Sequence, residues 1–414
     1  MSGIITLSSG LRIVHKYIPH VRSVAMGIFV GAGSRAETPS NSGISHFIEH
    51  MCFKGTKTRS AFQIVEEIDS LGAQINAFTS KEATAYYTLC IDEYVEKCAE
   101  ILADLFLNHT FLPEEMDKER GVILEEIAMV EDTPDDLCQE LAFKAYWGKN
   151  SLGMPILGTA DNIRRFTSED LFAYERSHYV SENTVISFAG NISEEKVIEI
   201  VKRYFEIPKG QADKLYMKVD GHGSRYLKRN KTIEQANICI VYPSIKIEGL
   251  YEPALNILNC AYGSGMSSIL FQRVREQLGL AYSVYSFPSA YTDCGVFSLY
   301  VGTNPSSLKK ALEAVADINK EIMEKGLTKE EFLRGKQQIK GAYILGQEST
   351  LAIMRAMARY ALGENEYFDI EKRAALLEEV SKKEVNELIA KIFTSKPSIG
   401  YVGRKVDFDI KSIL

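Results

Sequence analysis

The sequence predicts an α+β fold made of two similar units, and three observations carry that prediction. Segments with the apolar patterning of strands and segments with helical spacing follow one another along the chain. Their order recurs: helix, Tyr/Thr-rich strand segment and helix surround Leu71-Gly72, and the same order surrounds Leu278-Gly279, 207 residues on. At 414 residues the chain also exceeds the size to which one hydrophobic core ordinarily grows.

Taken in order, Ile4 to Val14 reads as a hairpin turning at Ser8-Ser9-Gly10, and the apolar run Val21 to Val30 reads as a strand. Thr38 to Ser42 is a breaker cluster with capping residues. After it, Ile44, Phe47, Ile48 and Met51 fall on one face of a helix over Gly43 to Phe53. Beyond Gly72, Ile75 to Tyr87 is rich in the Thr and Tyr that favour strands, and Glu93 to Leu107 returns to helical spacing. Pro113 followed by acidic residues suits a helix start, and that helix runs to about Val130. In the second half, Gln272 to Gln277, Ala281 to Val301 and Ser306 to Lys325 replay helix, strands and helix. Between the halves, Pro208 to Asn230 is polar, bears glycines and lysines and lacks periodicity. It reads as a linker, 208–230, separating domains 1–207 and 231–414.

Composition narrows the function. Hydrophobic residues make up 45% and charged residues 25% of the chain, enough to bury a substantial core. A net charge of -7 with no Lys/Arg-rich block argues against a nucleic-acid partner. No stretch approaches the ~20 apolar residues that cross a bilayer, and Met1 to Pro19 lacks a basic start followed by an apolar run. No membrane partner and a cytoplasmic location are therefore expected. Seven cysteines are scattered without a CxxC pair, which argues against a disulfide framework or a cysteine-held zinc. Gly263-Ser264-Gly265 lacks the Gly-Lys-Ser/Thr of a phosphate-cradling loop and reads as a turn.

The chemistry concentrates in Ser45 to His50, which contains His-x-x-Glu-His. On a helix, His46 and His50 lie four residues apart on one face, at reach of a single metal ion. Glu49, three residues after His46, projects to the same side and can serve a metal-bound water without being a ligand. The motif alone favours a metal over the rival of two surface histidines without deciding between them, and a catalytic zinc needs a third protein ligand from elsewhere. Downstream, Glu119 and Glu126 stand seven apart, two turns along one helical face, with Glu125 adjacent.

His46-x-x-Glu49-His50 followed 76 residues later by Glu126 resembles the pattern of the pitrilysin, or M16, family of zinc metallopeptidases. The resemblance makes Glu126 the third ligand, with Glu125 its adjacent rival, and Glu119 an acid that supports the site from behind the ligands. It implies one Zn2+ per chain, Glu49 as general base, and peptide as substrate. Asn76, Ala77, Phe78 and Thr79 are similar to the family's strand beside the metal, which binds extended substrate. Phe271 to Ser283 looks like the family's second-domain motif, with Arg275 and Tyr282 expected to bind substrate and the developing oxyanion. Relatives often carry arginine where this chain has Ile269, which puts the expected shape of the substrate chamber in doubt.

The family fold implied is two similar domains, each a mostly antiparallel sheet with helices packed on one face, closing as a clamshell around unfolded peptides. The chain's length resembles the short branch that includes the mitochondrial processing peptidase, so a homodimer is expected. The alternative is a non-catalytic scaffold or a substrate-binding partner subunit of such a peptidase.

Overall fold

A computed structural model describes residues 3–212, 219, 225–246 and 251–414. Among the described residues, eleven strands form two sheets. The first contains β1 (Ile4–Thr6), β2 (Arg12–Tyr17), β3 (Ser23–Val30), β4 (Gln74–Thr79), β5 (Thr84–Ile91) and β6 (Thr184–Gly190), in the order β1-β2-β6-β3-β5-β4. The second contains β7 (Tyr226–Asn230), β8 (Ala236–Ser244), β9 (Ser283–Ala290), β10 (Gly295–Thr303) and β11 (Ser398–Gly403), in the order β7-β11-β8-β10-β9. Without β1, the two orders are the same permutation of chain sequence. In each, the first and last strands pair in parallel, β2 with β6 and β7 with β11, and the remaining pairs are antiparallel.

The helices preceding the second strand hairpin of the first half are α1 (Ile44–Cys52) and α2 (Ala61–Ser70). They are followed by α3 (Val95–Leu107), α4 (Pro113–Asp132), α5 (Pro134–Trp147), α6 (Ala160–Arg165), α7 (Ser168–His178) and α8 (Glu194–Tyr204). The second half adds α9 (Tyr251–Tyr262), a π-helical turn at Phe271–Gln277, α10 (Leu308–Lys325), α11 (Lys329–Gly346), α12 (Thr350–Gly363), α13 (Ile370–Glu379) and α14 (Lys382–Phe393). None of the described helices is long and apolar enough to cross a membrane.

The internal repeat extends to the turn between helix and strand. Gly72 and Gly279 both adopt φ of 60°, the left-handed conformation that ends a helix at little cost when no Cβ is present. Ile4–Thr6 and Arg12–Tyr17 pair across the expected first hairpin, and Ile75 to Tyr87 resolves into the β4–β5 hairpin.

Each sheet carries the expected layer of helices on one face and, in addition, a single helix on the other. Alternation along β3 divides its apolar run accordingly. Val24, Met26, Ile28 and Val30 join the larger core beneath α1, α2, α3 and α8, whereas Ala25 and Phe29 meet Ile353, Met354, Met357 and Ala358 of α12. In the second sheet Ile238, Ile240 and Tyr242 of β8 face α9, α10 and α14, whereas Cys239 and Val241 face Leu137, Cys138 and Ala142 of α5. Two compact units result: Met1–Ala128, Met154–Met217 and Leu345–Asp369 form one, and Met129–Gly153, Lys218–Ile344 and Ile370–Leu414 the other.

These units are not the contiguous halves 1–207 and 231–414, because each takes one helix from the other half of the sequence. Of the expected linker 208–230, residues 213–218 and 220–224 lie outside the described residues, and 226–230 is strand β7. β7 pairs only with β11 at the sheet's edge, which explains its polar, aperiodic sequence.

The packing of α5 on β11 is close enough to demand glycine. A Cβ on Gly400 would stand 2.1 Å from the Cys138 carbonyl oxygen and 2.4 Å from the Ala142 nitrogen. Gly400→Ala is expected to cost at least about 2 kcal/mol in urea unfolding, because backbone rather than a flexible side chain must give way. Gly341→Ala, in α11 with open space around the new methyl, is expected to gain roughly 0.5–1 kcal/mol. Equal effects from the two substitutions would refute the packing argument.

Candidate metal centre

Helix α1 is nine residues long, too short to persist alone in water. Burial of Ile44, Phe47, Ile48 and Met51 in the first core fixes one face. Its N-terminus has no cap from Gly43 itself. Instead the buried Glu37 carboxylate reaches forward, accepting the Gly43 N–H at 2.8 Å and the Ser45 N–H at 2.9 Å. A carboxylate there also suits the positive end of the helix dipole. Burial pushes the Glu37 carboxyl up to about 7, against the pull of those two N–H groups. The residues of the expected capping cluster bond to one another instead, with the Thr38 N–H and hydroxyl donating to Asn41 Oδ1 at 2.6 and 2.8 Å.

With α1 fixed, His46 and His50 stand on successive turns with ring centroids 4.4 Å apart. Helix α4 brings Glu126 to them: its Oε2 lies 3.8 Å from His46 Nε2 and 3.7 Å from His50 Nε2. Ligand atoms of these three residues all lie within 4.8 Å of one another. Glu125 is exposed and stands outside the group. Two turns earlier on α4, the buried Glu119 accepts a hydrogen bond from His50 Nδ1 at 2.7 Å, and its other oxygen pairs with Lys54 Nζ at 2.6 Å. Because a carboxylate can only accept, His50 donates its Nδ1 proton to Glu119, which leaves Nε2 as the ring nitrogen that faces Glu126.

Two imidazoles and one carboxylate are a donor set that zinc takes in hydrolytic sites, with a fourth position for water. Tetrahedral coordination at about 2.0–2.1 Å sets donors about 3.3 Å apart, so the two distances from Glu126 to the histidines need to contract by only about half an ångström. The electrostatics agree. Burial, helped by the neighbouring His50, drives His46 down to about 4, leaving it neutral at neutral pH as a ligand must be. His50 is lowered by burial but raised more by the Glu119 hydrogen bond and the charges of Glu126, Glu119 and Glu49. Three carboxylates thus face two imidazoles and one lysine, an excess of negative charge that a divalent cation would neutralise.

Glu49 sits beside this group. Its Oε2 accepts a 2.6 Å hydrogen bond from Thr79 Oγ1. Burial raises the Glu49 pKa, the Thr79 bond and His50 oppose it, and the net direction is upward.

Asn76, Ala77, Phe78 and Thr79 lie on β4, which pairs with β5 and, among the described residues, has no strand on its other side. Asn76 Oδ1 accepts the Ala77 N–H at 2.8 Å, and Phe78 packs edge-on to Phe29 with centroids 6.3 Å apart. Arg275 and Tyr282 belong to the second unit, where the structure places them together. The guanidinium lies 4.7 Å from the Phe271 ring centroid and 5.4 Å from that of Tyr282, and Tyr282 is exposed. Ile269 is buried in the second unit's core. Sequence reasoning missed Glu37 and Lys54. An acid just ahead of a helix was the available signal for the first; a lysine four residues past His50 carried none.

Comparison with known proteins gives a consistent picture. The family model described as Insulinase (Peptidase family M16) matches residues 12–160, and that described as Peptidase M16 inactive domain matches 165–339. The uncharacterized zinc protease YmxG of Bacillus subtilis is 40% identical over 400 residues, covering 96% of this chain and 97% of its own. The uncharacterized zinc protease SCO5738 of Streptomyces coelicolor is 36% identical over 406 residues, covering 96% and 88%. Among solved structures, a peptidase M16 inactive domain from Pseudomonas fluorescens superposes with TM-score 0.92 at 18% identity, over 98% of this chain and 99% of that one. A protease from Helicobacter pylori superposes with TM-score 0.87 at 22% identity, over 97% and 98%. At those identities the structures establish the fold alone.

Glu119 orients His50 without joining the donor cluster, so Glu119→Gln tests its contribution to metal binding. Zinc affinity, measured by chelator competition, is expected to fall roughly 10- to 100-fold, and the thermal midpoint without metal is expected to fall as well because the buried pair with Lys54 is lost. Unchanged affinity would show that Glu119 does not orient the ligand.

Proposed function

The chain belongs to the M16 family of peptidases, and on that premise we propose that it is a zinc-dependent endopeptidase cleaving extended, unfolded peptides. One observation carries the proposal: the His46, His50 and Glu126 donors converge directly beside a half-buried Glu49. In this reading each chain holds one zinc. When bound, zinc supplies a Lewis acid toward the scissile carbonyl and lowers the pKa of a water toward about 7. Glu49 takes a proton from the attacking water and delivers it to the leaving amine nitrogen as the C–N bond breaks. Its raised proton affinity supports that role, since a base must also return its proton.

The open edge of β4 supports an extended substrate, because a peptide can add there as a further strand along Asn76, Ala77, Phe78 and Thr79. Arg275 and Tyr282 supply N–H and O–H donors for the oxyanion that appears only as the carbonyl is attacked. A chamber closed by both domains, a homodimer and a cytoplasmic location complete the reading. The scaffold alternative gains nothing from a site that keeps its donors and its base.

The test is hydrolysis of a quenched mixed-peptide library by wild type and Glu49→Gln, with metal counted in both. The expected result is about one zinc per chain in each and a loss of roughly 10²- to 10⁴-fold in cleavage by the variant. A metal-free wild type, or a variant that cuts as fast, overturns the proposal. Sedimentation at twice the 46.4 kDa chain mass is expected for the dimer.

A further inference from the structure

Among the described residues, the one hydrogen bond made by the Glu49 side chain comes from Thr79 Oγ1, at 2.6 Å. We propose that Thr79 is a positioning residue for Glu49. Its hydroxyl clamps one carboxylate oxygen so that the other is held toward the reacting water. The proposal rests on the hydrolytic reading above and assigns the Thr79 side chain to the base rather than to the substrate.

Three features support the assignment. A hydroxyl has a single proton to donate, and an ionised carboxylate can only accept, so the Thr79 proton is committed to Glu49. Substrate pairing along β4 would use the Thr79 backbone, which leaves its side chain free for this second task. Thr79 is also β-branched and stiff about χ1, so its oxygen is held in place rather than sampling a cone.

The two partners are registered by a single short segment. Ser34 N–H donates to the Ser80 carbonyl at 3.1 Å and Arg35 N–H to that of Lys81 at 2.7 Å, while the buried Arg35 guanidinium pairs with Glu82 at 2.5 Å. These contacts fix the β4–β5 turn immediately after Thr79. Glu37, at the end of the same segment, fixes the first turn of α1, which carries Glu49. Residues 34–37 therefore contact both the turn after Thr79 and the first turn of α1, and the edge that would receive the peptide is tied to the base that would act on it.

The experiment compares Thr79→Val, which keeps the shape and removes the hydroxyl, with Thr79→Ser, which keeps the hydroxyl. With zinc content matched to wild type, Thr79→Val is expected to lower kcat on a quenched peptide roughly 10- to 100-fold with KM within about twofold. Thr79→Ser should recover most of that loss. A rise in KM at unchanged kcat would overturn the proposal in favour of a substrate-binding side chain, and full activity in Thr79→Val would overturn it outright. Either result leaves the wild-type versus Glu49→Gln comparison standing, so the two readings fail separately. A second arm needs neither metal nor turnover: a double-mutant cycle of Thr79→Val with Glu49→Ala in urea unfolding of the metal-free protein. Coupling of about tenfold in the unfolding constant is expected, and no coupling would refute the contact.

Discussion

The two hydrogen bonds from the first turn of α1 to Glu37 are the constraint on which the rest of the site depends. A nine-residue helix spends nearly half its length in turns whose backbone groups lack partners. Left uncapped, its first turn would fray, and His46 lies in it. The carboxylate removes that freedom from outside the helix, and the cost of burying it is offset by two N–H donors and the helix dipole. A chain of dependence runs from there to the donors. The cap fixes α1, α1 fixes the spacing of His46 and His50, and Glu119 then accepts the Nδ1–H of His50, so that Nε2 faces Glu126. Each link is ordinary, and the donor cluster exists only where all of them hold.

The scaffold under this site solves a general problem of sheets. A strand whose two faces are both apolar must be covered twice, and β3, β6, β8 and β10 are of this kind. A local sequence can supply one layer of helices from the segments that join the strands. The second layer here is a single helix per sheet, and it comes from the other half of the chain. The parallel pairings of β2 with β6 and of β7 with β11 arise from the same architecture. They set the last strand of each repeated five-strand unit beside its first, with the intervening helices available to cover the sheet.

How much could be read in advance depends on the range of each interaction. His46, Glu49 and His50 were legible as one helical face because helical periodicity is local, whereas Glu119 and Glu126 shared a face by spacing but drew their roles from the family resemblance alone. The recurring order of elements around Leu71-Gly72 and Leu278-Gly279 was legible because it is read along the chain, but the left-handed turn that both glycines make was not. Helices α5 and α12 were not, since an apolar helix face does not state which sheet it will cover. β7 read as linker because an edge strand with one partner has no need of alternation. Thr79 could be seen as a strand residue, but its bond to Glu49 spans thirty positions and has no period. Glu37 escaped because a side chain that caps a helix six residues ahead leaves no signature beyond its charge.

The exchange of α5 and α12 between units also bears on how the chain emerges during synthesis. Val14, Ala25, Phe29, Ala85, Val185 and Ala189 have all been synthesised by about residue 190, yet the helix that covers them begins at Thr350. Through the intervening interval this apolar face of a nearly complete sheet has no native cover, which is the condition under which nascent chains associate with one another or with chaperones. The second sheet meets the opposite circumstance, since α5 is made before any of its strands. The N-terminal unit, which holds the metal donors, is thus begun first yet cannot be finished until residue 369, after most of the second unit has been made.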